Sequence, residues 1–192
     1  MAVSLNKGQK LSLTKSGGGT LTRVFMGLGW DAVAKGLFRK KAVEVDLDAS
    51  VLLFDAAGKL VDQVWFQQLR SKDGSVTHTG DNLTGEGEGD DETIYVDLPA
   101  VPPAVSTLVF TVSSFTGQDF SSVQNAFCRL VDAAQPQQVE LARYALSQAG
   151  PHTAQIMAKL TREGSGWAMT AIGEPASGRT IRDLLPAVKP HL

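Results

Sequence analysis

Hydrophobic residues recur at alternate positions in short runs broken by glycine and proline, and that pattern predicts strands. Val43, Val45 and Leu47 alternate with Glu44, Asp46 and Asp48 before the apolar run Val51-Leu52-Leu53-Phe54. Ile94, Val96 and Leu98 alternate with Thr93, Tyr95 and Asp97. Further strands are expected over 21–28, closed by Gly27 and Gly29, and over 60–69, 105–115, 127–132, 139–146, 156–162 and 167–172. Residues 3–14 alternate loosely about a Lys7-Gly8 turn and read as a strand or hairpin. Residues 15–20, with three consecutive glycines, read as a flexible turn. Two short helices are expected, one over 121–126 behind a cap at Asp119 or Ser121, the other over 180–185, stopped by Pro186. Many short strands with almost no long helix predict an all-β fold, a two-sheet β-sandwich with short peripheral helices. Pro136 to Val139 is a turn rather than a linker, so residues 1–192 read as a single domain. Its tail is expected to be irregular from about 174 and frayed over 188–192.

Composition narrows the class. With 192 residues, 43% hydrophobic and 20% charged, the chain can bury a sizeable core and is neither disordered nor collagenous. Cys128 is the single cysteine, which excludes an internal disulfide framework and a cysteine-rich zinc site. Its apolar flanks place it as a core thiol, and Phe110, Phe115, Phe120 and Phe127 also read as core. No run approaches the length of a membrane-spanning helix and no signal peptide is visible, so a cytoplasmic location is expected.

The net charge of −2 hides an uneven distribution. Eight acidic residues, Asp73, Asp81, Glu86, Glu88, Asp90, Asp91, Glu92 and Asp97, stand in a stretch with no Lys or Arg. Such a cluster repels itself unless something positive neutralises it, and it repels nucleic acid. Lys35, Arg39, Lys40 and Lys41 form a small basic group read as a solvated loop.

The carboxylates point to a hard cation. Asp46 and Asp48 fall on one face of a strand, anchored by Leu47 between them, and two adjacent carboxylates destabilise each other without a cation or donor. In 80–92, glycines alternate with acidic residues from Gly85 to Asp90, so the backbone can fold tightly and present carbonyl oxygens beside those of Asp, Asn and Glu. Calcium takes six to eight such oxygens at about 2.3–2.6 Å in adaptable geometry, whereas magnesium demands a stricter octahedron. Zinc, copper and iron are disfavoured by the donor types. Asp81 and Glu92 have the spacing of the first and last ligands of an EF-hand, but Leu83, Gly85 and Glu86 break its pattern and the flanks are strands. The turn Gly27-Leu28-Gly29-Trp30-Asp31 can bring Asp31 to the same place, with Trp30 in the core or as a lid. His78 is expected at the surface, with a place behind the acidic loop as the alternative.

An enzyme remains as the rival class. Asp46-x-Asp48-x-Ser50 superficially matches a metal-dependent phosphohydrolase with an aspartyl nucleophile. That chemistry calls for a well-placed Lys, and for long helices between the strands, neither of which the sequence offers. His78, His152 and His191 are scattered and form no nucleophilic triad. The glycines of 16–20 lack the Gly-Lys-Ser/Thr ending of a phosphate loop.

Taken in order, Gly27-Leu28-Gly29-Trp30-Asp31, Asp46-Leu47-Asp48-Ala49-Ser50 and the run from Gly80-Asp81-Asn82 to Asp90-Asp91-Glu92 resemble the signature of the TerD/TerZ family. These are bacterial tellurite-resistance and general stress proteins. Asn125-Ala126-Phe127 and Glu140-Leu141-Ala142-Arg143-Tyr144 also resemble that family, and the likeness extends from Val3 to about Gly173. It implies a non-catalytic cytoplasmic β-sandwich holding two adjacent Ca²⁺ ions. Its partners would be other proteins of the tellurite-resistance system near the inner face of the membrane, without insertion and without nucleic acid. Carried over by position, the ligands are Asp31, Asp46, Asp48, Asp81, Asn82, Glu86, Asp90, Asp91 and Glu92, with backbone carbonyls of Thr84 or Gly85 completing the shells. Glu88 departs from the family pattern, where Asp is usual.

Overall fold

The computed structural model describes residues 2–14, 18–32, 46–80, 90–145 and 150–192. In chain order its strands are β1 (Val3–Ser4), β2 (Lys10–Ser12), β3 (Arg23–Ala32), β4 (Leu47–Phe54), β5 (Leu60–Val64) and β6 (Val76–His78). They continue as β7 (Glu92–Asp97), β8 (Thr107–Ser114), β9 (Val123–Asp132), β10 (Val139–Ala145), β11 (Ala154–Glu163) and β12 (Gly166–Ala176). Two six-stranded sheets result, ordered β1-β10-β9-β3-β7-β6 and β2-β12-β11-β8-β4-β5. This is the expected sandwich. Among the described residues, all pairings are antiparallel except β1 with β10, which is parallel.

Alternation assigns the faces. Val24, Met26, Leu28 and Trp30 of β3 meet Leu47, Ala49, Val51 and Leu53 of β4 and Leu108, Phe110 and Val112 of β8 between the sheets. The intervening Leu52, Phe54 and Val109 point to the opposite face of the second sheet, where Ile181, Leu184 and Val188 cover them. That double cover is why β4 and β8 are buried at every position, and why Val51-Leu52-Leu53-Phe54 runs apolar without alternation. Cys128 lies wholly inside on β9, and burial pushes its thiol pKa up to about 12, so it behaves as a packing residue.

Several local expectations give way to tertiary packing. Residues 3–14 do not form a hairpin, because β1 and β2 join opposite sheets. Gly27 and Gly29 do not end their strand; β3 runs through both. Over 121–126 there is only a 3₁₀ turn, Phe120–Ser122, capped by Asp119, before β9 begins at Val123. Pro186 does not stop a helix over 180–185. It stands in the first turn of α1 (Leu185–Val188), where a missing N–H costs nothing. The end of the chain is not frayed: Val188 is fully buried, Lys189–His191 form a 3₁₀ turn, and Lys159 Nζ donates to the His191 carbonyl at 2.5 Å. Phe115 is 46% exposed rather than core. Strand β6 has no sequence signal of its own, having only three residues.

Asp62 organises the link between β5 and β6. Its carboxylate accepts from the backbone N–H of Gln63 (2.9 Å) and Lys72 (2.8 Å) and from Gln68 Nε2 (3.0 Å). Burial opposes its ionisation, but these hydrogen bonds outweigh burial and hold the carboxyl below its ordinary range. A folded-state pKa below the unfolded one stabilises above the ordinary carboxylate range, and this contribution is lost as pH falls through the lowered value. Asp62→Asn is therefore expected to cost about 1.5–3 kcal/mol at neutral pH. Urea unfolding at pH 7 and pH 3 should show the gap from the parent narrowing in acid; an unchanged gap would refute the ionised role.

Candidate metal centre

Most of the acidic candidates converge on one end of the sandwich. There β3 finishes at Ala32 opposite Val123, β4 begins at Leu47 opposite Ser114, β6 ends at His78 opposite Ile94, and β7 begins at Glu92 opposite Leu28. Asp31 is placed in register with Gln124, and Asp46 immediately precedes β4. Asp48, across from Ser113, is only 4% exposed. Leu47 is buried between the sheets as the anchor it was expected to be, and Trp30 is core rather than a lid. Asp81, Asn82, Thr84, Gly85 and Glu86 lie outside the described residues, as does the basic group Lys35, Arg39, Lys40 and Lys41.

Three consecutive acids, Asp90, Asp91 and Glu92, reach three different parts of the fold. Asp91 extends the ladder beside β3: its N–H donates to the Leu28 carbonyl at 2.8 Å, and its Oδ2 accepts from the Trp30 N–H at 2.9 Å. The carboxylate thus stands where the backbone oxygen of a longer neighbouring strand would be. Glu92 does the same for the other sheet. Its Oε2 crosses the interior and accepts from the Ala49 N–H at 2.6 Å.

His78 completes that second rung. The Gly80 N–H donates to its Nδ1 at 3.0 Å, which puts the ring proton on Nε2, and Nε2 donates to the Ala49 carbonyl at 3.1 Å. The same Nε2 is 3.4 Å from Glu92 Oε2. Strand β5 pairs with β4 only from Val51 onward, so at Ala49 the edge of β4 has run out of strand partners. A histidine and a glutamate from the opposite sheet supply the missing acceptor and donor. His78 is therefore buried, at 3% exposure, and not at the surface.

Asp90 turns outward, over the exposed face of the first sheet. Its two oxygens accept from Arg129 Nε at 2.8 Å and Nη2 at 2.9 Å, a fork-on-fork pair. Gly27 makes room: a Cβ there would stand 2.3 Å from the Asp90 carboxyl group. Arg129 Nη1 also donates to Glu140 at 3.1 Å, and Glu140 is gripped by Arg143 through two bonds of 2.9 Å. Arg143 and, less strongly, Arg129 hold the Glu140 carboxyl below its ordinary range against burial. Arg143 lies over the Phe127 ring at 4.1 Å, which fixes the outer end of the ladder. Neither Arg129 nor the role of Gly27 was legible in the sequence, since each depends on pairing between strands far apart in the chain, whereas the place of His78 matches the alternative its sequence position left open.

The donors gathered here are hard oxygens, which fit calcium or magnesium and not a soft metal. Among the described residues, no three His, Cys, Asp or Glu side chains are grouped so as to hold an ion by themselves. Among those residues, too, no helix is long and apolar enough to cross a membrane.

The TerD domain model matches residues 1–186. The chain is 48% identical to the tellurium resistance protein TerZ of Serratia marcescens over 187 residues, covering 95% of this chain and 94% of the relative. It is 42% identical to the stress response protein SCP2 of Bacillus subtilis, with 96% and 98% covered. A tellurium resistance protein TerD of an Alcaligenes species is 41% identical, with 90% of each chain covered. The fold is that of a Streptomyces coelicolor homologue of the telluride resistance protein (TM-score 0.69, 23% identity, 86% of this chain and 95% of that one). It is also that of a crystallised protein of unknown function (TM-score 0.70, 22% identity, 84% and 94%).

Proposed function

The chain belongs to the TerD family, and from that premise we propose that it is a non-catalytic stress-response and tellurium-resistance protein whose acidic end binds two adjacent calcium ions. The ligands are drawn from Asp31, Asp46, Asp48, Asp91 and Glu92, with Asp81, Asn82 and Glu86 and the backbone carbonyls of Thr84 or Gly85 from the segment between them. The observation that supports this reading is the placement, by register, of Asp31 on β3, Asp46 and Asp48 at the start of β4, and Asp91 and Glu92 at the start of β7, all at the end of the sandwich where β6 stops and β7 begins. When bound, calcium would supply positive charge and oxygen coordination between loops that otherwise repel one another. The chain's own part is to hold Asp91 and Glu92 in fixed directions through Trp30 and Ala49. The product is a rigid, charge-compensated surface for partner proteins of the same resistance and stress systems, in the cytoplasm and near the inner face of the membrane.

The phosphohydrolase alternative is less well supported, because it needs helices of ten or more residues between strands. The α-helix found among the described residues, α1, has four.

Titration calorimetry of decalcified protein, with magnesium as competitor, tests the reading. Two calcium sites of micromolar or tighter affinity, weakened by Asp46→Asn, are the expected result. At a calcium concentration of about one hundred times Kd, the gain is about 2.7 kcal/mol per site. That should raise Tm by about 5–10 °C per site in a protein of this size. No heat and no shift at millimolar calcium would overturn it.

A further inference from the structure

We propose that Asp90 is the tether of the acidic segment rather than one of its cation ligands, and that Arg129 is the positioning residue that holds it. This rests on the calcium reading above. Both Asp90 oxygens lie on the guanidinium of Arg129, whereas Asp91 and Glu92 each direct one oxygen to a backbone amide. The seat is built for the carboxylate. Gly27 leaves the space, the Asp90 side chain is 8% exposed, and Arg129 is braced from its far side by Glu140 and, through it, Arg143. Phe25 lies beneath the guanidinium, 5.9 Å from ring centroid to Cζ.

A bidentate pair in a partly buried site is strong and directional, so removing Asp90 from it to ligate an ion would leave Arg129 with half its fork unmatched. Left in place, the pair pins the chain immediately after residue 89 to the middle of the first sheet. Pinning limits the positions open to the neighbouring carboxylates, and so lowers the ordering cost of closing them on an ion. Asp90 then acts on affinity through position and not through coordination.

The two roles predict opposite signs. If Arg129 competes with calcium for Asp90, then Arg129→Gln tightens calcium binding. If Arg129 positions the tether, Arg129→Gln weakens binding, by about 10–100-fold as for other outer-shell partners of a metal site. Calorimetry on the parent, Arg129→Gln, Asp90→Ala and the double variant is the experiment. The expected result is a similar loss in all three variants, with two ions still bound at saturation. Tighter binding in Arg129→Gln, or one ion fewer in Asp90→Ala, would overturn the tether.

A second readout needs no calcium. In chelator, the amide protons of Asp91 and Trp30, the rungs beside the tether, are followed by hydrogen exchange in Arg129→Lys and Asp90→Asn. These mild variants are expected to keep the fold while breaking the fork. Exchange at least about tenfold faster in both supports the tether, and unchanged exchange refutes it. A parent protein that takes up no calcium would remove the calcium reading, while this exchange result would still judge the tether.

Discussion

Gly173→Ala is expected to destabilise the protein by about 2–5 kcal/mol, the sum of a left-handed backbone penalty of about 1–2 kcal/mol and an overpacking penalty of about 1–3 kcal/mol. Gly173 has φ +61°, and a Cβ there would lie 1.8 Å from the Tyr144 hydroxyl oxygen. The residue sits where β12 bulges: Ala158 pairs with Ala171 and Ile156 with Glu174, so Ile172 and Gly173 together face Met157. Tyr144 comes from β10 of the other sheet and reaches across the interior to this point. The cost thus has two parts that can be separated. Tyr144→Leu in the Gly173→Ala background should recover the overpacking share and leave the backbone share. Urea unfolding of the two single variants and the double variant measures both. A double variant no more stable than Gly173→Ala would show that Tyr144 is not what the methyl group meets.

The second large effect is expected at Glu92. Replacing it by Ala removes the acceptor of the Ala49 N–H and leaves that amide buried, at a cost of about 1–3 kcal/mol, with a further loss for the cavity left by the side chain. Glu92→Gln keeps an oxygen in reach of the amide and should cost only about 1 kcal/mol. Both are measured by urea unfolding in chelator, where any contribution of an ion is absent. A Glu92→Ala protein within about 0.5 kcal/mol of the parent there would mean that the edge of β4 is closed without it. The comparison with excess calcium is informative for a separate reason. If Glu92 closes the corner and also serves the ion, Glu92→Ala loses the calcium-dependent gain on top of the chelator deficit, while Glu92→Gln keeps more of both.

These two sites show where local sequence stops being sufficient. The strand content was readable because burial on one face imposes a period of two, as in Thr93 to Leu98, and that period survives whatever the strand pairs with. Even so, the strand over 42–54 is described only from Leu47, and the sequence could not tell that Gly27 and Gly29 continue a strand. In β3 the glycine at 27 is needed because Asp90 sits against it, a contact between residues far apart in the chain. Proline cannot continue a helix, which makes Pro186 look like a stop, but the same ring suits a first turn. Which applies depends on where the buried residues Ile181, Leu184 and Val188 find their cover.

For the candidate centre, the donor types can be read from residue identities alone. The density of Asp, Asn and Glu oxygens with interspersed glycine, free of basic residues, offers only hard oxygen donors whatever the fold, because ligand hardness belongs to the side chains. Residue order also shows that Leu47 anchors Asp46 and Asp48, since alternation alone sends the residue between them inward. What the last three acids do depends on how the two sheets pack. Asp90, Asp91 and Glu92 look alike as a run of negative charge, yet one meets an arginine on β9, one the amide of Trp30 and one the amide of Ala49. The reason is physical: a carboxylate's role is set by the donors that reach it. Those donors are brought there by strand register and sheet packing, which no window of neighbouring residues encodes.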